Sequence, residues 1–88
     1  VPYKVAVQID RYVEQRRRVS IHASIHVERA TQRAILVGKG GAMIREIGAR
    51  ARESISQMLD RPVDLRLHVD VSPGWTGDRR SLERLGYA

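Results

Sequence analysis

The stretch that decides the fold of this 88-residue chain is LVGKGGAMIREI, at residues 36–47. Three of the four residues at positions 38–41 are glycine, which adopts positive φ values and lets another molecule approach the backbone closely. A helix that begins directly after such a loop points unpaired N–H groups and the positive end of its dipole toward the loop. With Lys39 at its tip, the loop is predicted to bind the phosphates of a nucleic acid.

Two other glycine-rich phosphate motifs do not fit this stretch. A nucleotide P-loop requires four residues between its glycines and a Ser or Thr after its Lys, and neither condition holds here. The dinucleotide-binding fingerprint would require glycine at the position of Met43. An ordinary tight turn between two helices remains the alternative, because glycine-rich turns are common there.

The segments on both sides of the loop are predicted to be helices. Thr31 can cap a short helix over residues 32–37. From about Ala42 to Leu59, apolar residues recur at the spacing of one helix face. Within this second helix, the side chains predicted to lie in the core are Ile44, Ile47 and Ile55.

Three further segments alternate apolar and polar residues and are predicted to be strands: residues 4–13, 19–27 and 63–71. The first strand should bury Val5, Val7 and Ile9, and a short polar loop should join it to the second as a hairpin. Asp78 can cap a last short helix over residues 79–85. The order β-β-α-loop-α-β-α predicts an α+β fold, a two-layer sandwich with three strands in one layer and helices in the other.

The charge balance points to the same class of partner as the loop. Lys and Arg number 16 against 10 Asp and Glu, which gives a net charge of +6. Such a basic balance is typical of nucleic-acid binders, although it can also serve solubility alone. No apolar run approaches the ~20 residues that a membrane-spanning helix needs.

The sequence offers no argument for catalysis or for a metal site. There is no Cys, and no Ser–His–Asp or paired-carboxylate arrangement stands out. His22 and His26 share a strand face but lie about 13 Å apart along it, too far for one metal ion. These two histidines and His68 are expected to be exposed sheet residues.

The motif apolar-apolar-Gly-x-x-Gly-x-x-Ile-basic-x-Ile at residues 36–47 resembles the KH domain, whose GxxG loop clamps the backbone of about four nucleotides. The strand and helix order is similar to the type II KH fold, which implies a three-stranded mixed sheet with helices on one face. A helix normally precedes the first strand in that fold, and this helix is missing here. Both ends of the chain, VPY at residues 1–3 and the C-terminal set Trp75, Leu85, Gly86 and Tyr87, resemble the C-terminal KH domain of the Era family of bacterial GTPases.

This resemblance implies a single non-catalytic KH domain over residues 1–88, with its core at about 4–72 and a C-terminal turn and short helix at 73–88. The GTPase domain would lie upstream of this chain, so GTP and Mg²⁺ belong to the parent protein and this domain has no cofactor. The implied partners are single-stranded RNA from the 3′ region of 16S rRNA and the 30S subunit, whose maturation the parent would assist. The implied location is the bacterial cytoplasm, and a peripheral contact of the parent with the inner membrane stays open.

The resemblance also assigns the site residues by motif position. Four hold phosphates: Gly38, Lys39, Gly40 and Gly41. Five lie nearest the bases: Leu36, Val37, Ala42, Met43 and Ile44. Arg45 matches the basic position after the motif Ile and can reach a phosphate. Further candidates for RNA or ribosome contact are Arg16, Arg17, Arg18 and His68, although a run of charges is usually just solvated.

Two other functions remain open from the sequence. The chain can be a KH-fold module that binds a protein through its sheet or through the loop of Arg16, Arg17 and Arg18. It can also be the KH domain of another ribosomal or transcription protein. A GTPase P-loop in the sequence upstream of Val1 would distinguish the Era assignment from both.

Overall fold

The computed structural model describes residues 5–73, which form β1 (Val5–Glu14), β2 (Val19–Val27), α1 (Ala30–Val37), α2 (Ala42–Leu59) and β3 (Val63–Val71). A 3-10 turn at Lys39–Gly41 separates the two helices. The bounds of β2, α2 and β3 are those predicted, and β1 lies one residue further along the chain. The predicted helix at 79–85, its Asp78 cap and the C-terminal set lie outside the described residues.

The three strands form one mixed sheet in the order β1-β2-β3. β1 runs antiparallel to β2 as the predicted hairpin, whereas β3 runs parallel to β2. A parallel neighbour requires a crossover connection, and the pair of helices provides it. The predicted α+β class with a three-stranded mixed sheet is therefore confirmed.

The core lies between the sheet and the two helices. Alternate residues of β2 face the helices and are buried, among them Val19, Ile21, Ile25 and Val27. Val63 and Val69 join them from β3, and the helices add the half-buried side chains Leu36, Val37, Ile44, Ile55 and Leu59. As predicted, Ile44 and Ile55 pack against the buried core residues, and Ile47 is half-buried like them. Within residues 5–73, no helix is long and apolar enough to span a bilayer.

The prediction that β1 buries Val5, Val7 and Ile9 is wrong. Val5, Val7 and Ile9 are 42%, 52% and 55% exposed. Both helices pack over β2 and β3, so the helix-side face of the edge strand β1 is uncovered among the described residues. An irregularity in the pairing between Ile9 and Arg11 shifts the alternation and adds the exposed Tyr12 to this face. These four side chains are called the β1 stripe below.

The start of α1 also differs from the prediction. The helix begins at Ala30, so Thr31 lies inside it rather than capping it. The side-chain oxygen of Gln32 accepts hydrogen bonds from the backbone N–H groups of Arg29 (2.9 Å) and Glu28 (3.0 Å). A Gln at the third helical position that bonds back in this way satisfies N–H groups at the helix start, so the helix begins earlier than a Thr31 cap implies.

The expected exposure of the three histidines holds only for His68. Its side chain is 64% exposed, and its Nε2 lies 2.6 Å from Asp70 Oδ1. His26 is buried on the sheet face away from the helices, with its Nε2 2.9 Å from Gln8 Oε1 and its Nδ1 3.1 Å from Ser72 Oγ. These two partners satisfy both ring nitrogens, which is why a histidine is tolerated there. His22, on the same face, is half-buried.

Candidate nucleic-acid interface

Gly38 begins the loop in a backbone conformation that is essentially restricted to glycine, with φ 75° and ψ 173°. A Cβ atom at this position would lie 2.7 Å from Met43 Cβ and 2.9 Å from Met43 N. No real Cβ atom tolerates such distances, so the first glycine lets α2 start directly against the end of α1. Its role belongs to the fold of the loop.

Gly40, at the tip of the loop, is left-handed with φ 61° and ψ 19°. In contrast to Gly38, a Cβ atom here would have no neighbour within 4 Å. The backbone of Gly40 is therefore open to an approaching molecule. Lys39 next to it is exposed, so its ammonium group can reach an anion at the same place.

Two backbone hydrogen bonds close the loop. The Gly41 N–H donates to Gly38 O at 3.1 Å, and the Ala42 N–H donates to Lys39 O. The N–H groups of Lys39 and Gly40 belong to the same tip. They lie directly before α2, where the positive end of the helix dipole favours an anion.

Arg45, predicted to reach a phosphate, bonds to the loop itself in this structure. Its Nη1 donates to the carbonyl oxygen of Gly40 at 2.8 Å. The same Nη1 would lie 3.0 Å from a Cβ atom placed on Gly41. The guanidinium therefore lies across the left-handed part of the loop.

A groove of about 410 Å³ continues from the loop between α2 and β3. It is lined by Ile44, Arg45, Gly48, Ala49, Arg52, Leu65 and Leu67. Gly48 keeps this groove open, because a Cβ atom there would lie 3.6 Å from Leu67 Cδ1 and would fill part of the space. The groove thus has an apolar floor with an arginine toward each end.

The sequence reasoning missed five of these lining residues: Gly48, Ala49, Arg52, Leu65 and Leu67. Arg52 follows Arg45 by two helical turns, about 10.5 Å along the axis. A signal for it was available, since residues three, four and seven positions after Arg45 share one helix face. The contribution of β3 had no such signal, because it depends on how α2 packs across the strand.

The other predicted site residues divide into two groups. Ala42 and Met43 are exposed beside the loop, whereas Leu36 and Val37 pack against the core under it. The structure does not bring Arg16, Arg17, Arg18 and His68 together with the loop. The three arginines lie in the β1–β2 turn at the opposite end of the sheet, and His68 pairs with Ser24 on the face away from the helices.

Comparisons with known proteins agree with this geometry. A family model described as a KH domain matches residues 1–76. The GTPase Era of a Nostoc species is 45% identical over 99% of this chain, which corresponds to 27% of that protein. The GTPase Era of Mycoplasmopsis agalactiae is 39% identical over 99% of this chain and 30% of that protein. The predicted resemblance to the Era family is therefore confirmed, and the chain spans less than a third of the length of these relatives.

Two solved structures of Era are similar to this chain in fold. One is Aquifex aeolicus Era bound to GDP and aluminium fluoride. The other is Era in complex with MgGDPNP and nucleotides 1506–1542 of 16S ribosomal RNA. In both comparisons the TM-score is 0.83 and the identity is 34%, over 96% of this chain and 29% of the other.

Proposed function

The chain belongs to the KH family, and we propose that it binds single-stranded RNA through the loop at residues 38–41 and the groove between α2 and β3. One observation carries this proposal. The open backbone of Gly40, the exposed Lys39 side chain and the start of α2 all lie at one end of a groove with an apolar floor. A nucleic-acid strand is complementary to this arrangement, because its backbone is charged and its bases present flat apolar faces.

The loop and the groove have different roles in RNA binding. The loop residues Gly38, Lys39, Gly40 and Gly41 hold phosphates, which supplies grip but little choice among sequences. Bases lie over Ile44, Leu65 and Leu67, which provide van der Waals contact, and no aromatic side chain is among the described residues that line the groove. Choice among bases then depends on the width of the groove. Arg52 contacts a phosphate at the far end.

The relatives indicate which RNA the domain binds and which kind of protein contains it. Because an Era structure contains nucleotides 1506–1542 of 16S ribosomal RNA, we propose that this chain binds the 3′ region of small-subunit rRNA. The parent would be an Era-type GTPase that assists 30S maturation in the bacterial cytoplasm. GTP and Mg²⁺ would bind to its GTPase part, and the KH domain itself is a non-catalytic RNA-binding module.

The test is a binding titration with a labelled single-stranded RNA of the 3′-end sequence, followed by fluorescence anisotropy. The double variant K39D/G40D should lose binding while it keeps the circular dichroism spectrum of the wild type, since both positions are exposed and a Cβ atom on Gly40 would have no neighbour within 4 Å. The control R50D/Q57D changes the net charge by the same amount on exposed positions of α2 and should bind far better than K39D/G40D. Equal binding by K39D/G40D and wild type would refute the assignment of the loop.

A further inference from the structure

The geometry points to Arg45 as a positioning residue that holds the RNA-binding loop in shape, rather than as a contact to a phosphate. This inference rests on the proposed function and assigns one residue within it. Three features of the structure carry it: the bond to Gly40, the contact over Gly41 and the backbone conformations of both glycines.

The first feature is the hydrogen bond from Arg45 Nη1 to Gly40 O, at 2.8 Å. Of the loop carbonyls, those of Gly38 and Lys39 accept backbone N–H groups of Gly41 and Ala42. The carbonyl of Gly40 accepts a hydrogen bond from the Arg45 side chain. The guanidinium therefore ties the loop to α2 at the residue where RNA would approach.

The second feature is the position of the guanidinium over Gly41. A Cβ atom on Gly41 would lie 3.0 Å from Arg45 Nη1 and 3.9 Å from Cζ. Any side chain at position 41 would thus meet the arginine. The glycine at position 41 and the arginine at position 45 are matched to each other across one turn of α2.

The third feature is the conformational freedom that the loop would otherwise have. Gly40 and Gly41 hold φ values of 61° and 79°, but glycine adopts negative φ about as readily. Without a restraint, these residues would sample other backbone conformations, in which the loop no longer has the shape seen here. A side-chain bond formed before RNA arrives removes part of the ordering cost from the binding step.

A positioning residue and a phosphate-binding residue differ in how salt affects their variants. The logarithm of the binding constant falls linearly with the logarithm of the salt concentration, and the slopes below are the magnitudes of this decrease. Removing one cation that neutralises a phosphate of a single-stranded RNA lowers this magnitude by about 0.7. Loss of loop order weakens binding at every salt concentration and leaves the slope nearly unchanged. The slope therefore separates the two roles even where both variants bind more weakly.

The experiment measures affinity for the same RNA across a series of salt concentrations for wild type, R45A, R45K, K39A and R52A. We expect R45A to weaken binding about threefold to tenfold, the range for one ordinary hydrogen bond, because this bond is exposed, with a slope within about 0.3 of the wild type. R45K keeps a donor for the Gly40 carbonyl and should recover part of the affinity. K39A and R52A should each lower the slope by about 0.7.

A second measurement reports on the loop without RNA. In the free protein, backbone order parameters of Gly40 and Gly41 should fall in R45A from about 0.85, typical of rigid backbone, toward about 0.6, and should stay high in R52A. The positioning role is overturned if R45A lowers the slope by about 0.7, if its affinity equals that of the wild type, or if the loop stays rigid in it. If K39A also leaves affinity and slope unchanged, the proposed function itself fails.

Discussion

Gly38 and Gly40 both have positive φ values, yet they serve different purposes. Gly38 lies against Met43 and permits the close start of α2, whereas Gly40 faces open space at the tip. The motif predicted that glycine is needed at both positions, but it did not separate the two reasons. That separation depends on the path of α2, which only the structure shows.

The contrast leads to a prediction for alanine at each position. G38A should destabilise the fold by at least about 2 kcal/mol, because strain at positive φ adds to the overlap with Met43. G40A should cost only about 1 kcal/mol, since the backbone strain acts alone. Urea unfolding of both variants measures the difference. Equal costs for the two variants would show that Met43 does not restrict position 38.

The helices and strands show which patterns carry enough information to place an element. β2, α2 and β3 were predicted with the bounds that the structure has, because their periodicity runs unbroken between clear breaks. The prediction that one face of β1 is buried was wrong for a reason that lies outside β1 itself. Its alternation identifies the face that points to the helix layer but does not tell how far that layer extends, and the helices pack over β2 and β3.

This difference predicts unequal costs for two valine substitutions. V27A removes a fully buried side chain and should cost about 2 kcal/mol, at the lower end for core truncations. V7A truncates a member of the β1 stripe that is 52% exposed and should change stability by no more than about 0.5 kcal/mol. Urea midpoints of the full 88-residue chain provide the comparison. A cost for V7A as large as that for V27A would show that the stripe is covered in solution.

At the scale of the whole molecule, the two predicted sets of basic residues lie apart within residues 5–73. The loop and groove lie at one end of the helix layer, whereas Arg16, Arg17 and Arg18 lie in the turn at the other end of the sheet. The sequence predicted both sets as candidates for RNA contact, and their separation was not visible in it. The relation between α2 and β3 that forms the groove was equally hidden, since it joins residues that are distant along the chain.

The separation predicts that RNA length controls the effect of the arginine turn. The triple variant R16Q/R17Q/R18Q should leave binding of a four-nucleotide RNA within about twofold of the wild type, because such an RNA fills only the loop and groove. If the turn contacts RNA, the same variant should weaken binding of the longer 3′-end RNA and lower its salt slope. Anisotropy titrations with both RNAs test this. Strong weakening with the short RNA would place the binding site at the turn instead.

An NMR titration of the ¹⁵N-labelled chain with a four-nucleotide single-stranded RNA locates the binding surface residue by residue. If RNA lies on the loop and groove, the largest amide shifts will fall on Lys39, Gly40, Gly48, Arg52 and Leu67, and the β1 stripe will stay unchanged. Shifts confined to the β1 stripe or to Arg16, Arg17 and Arg18, with the loop amides unmoved, would contradict this binding site.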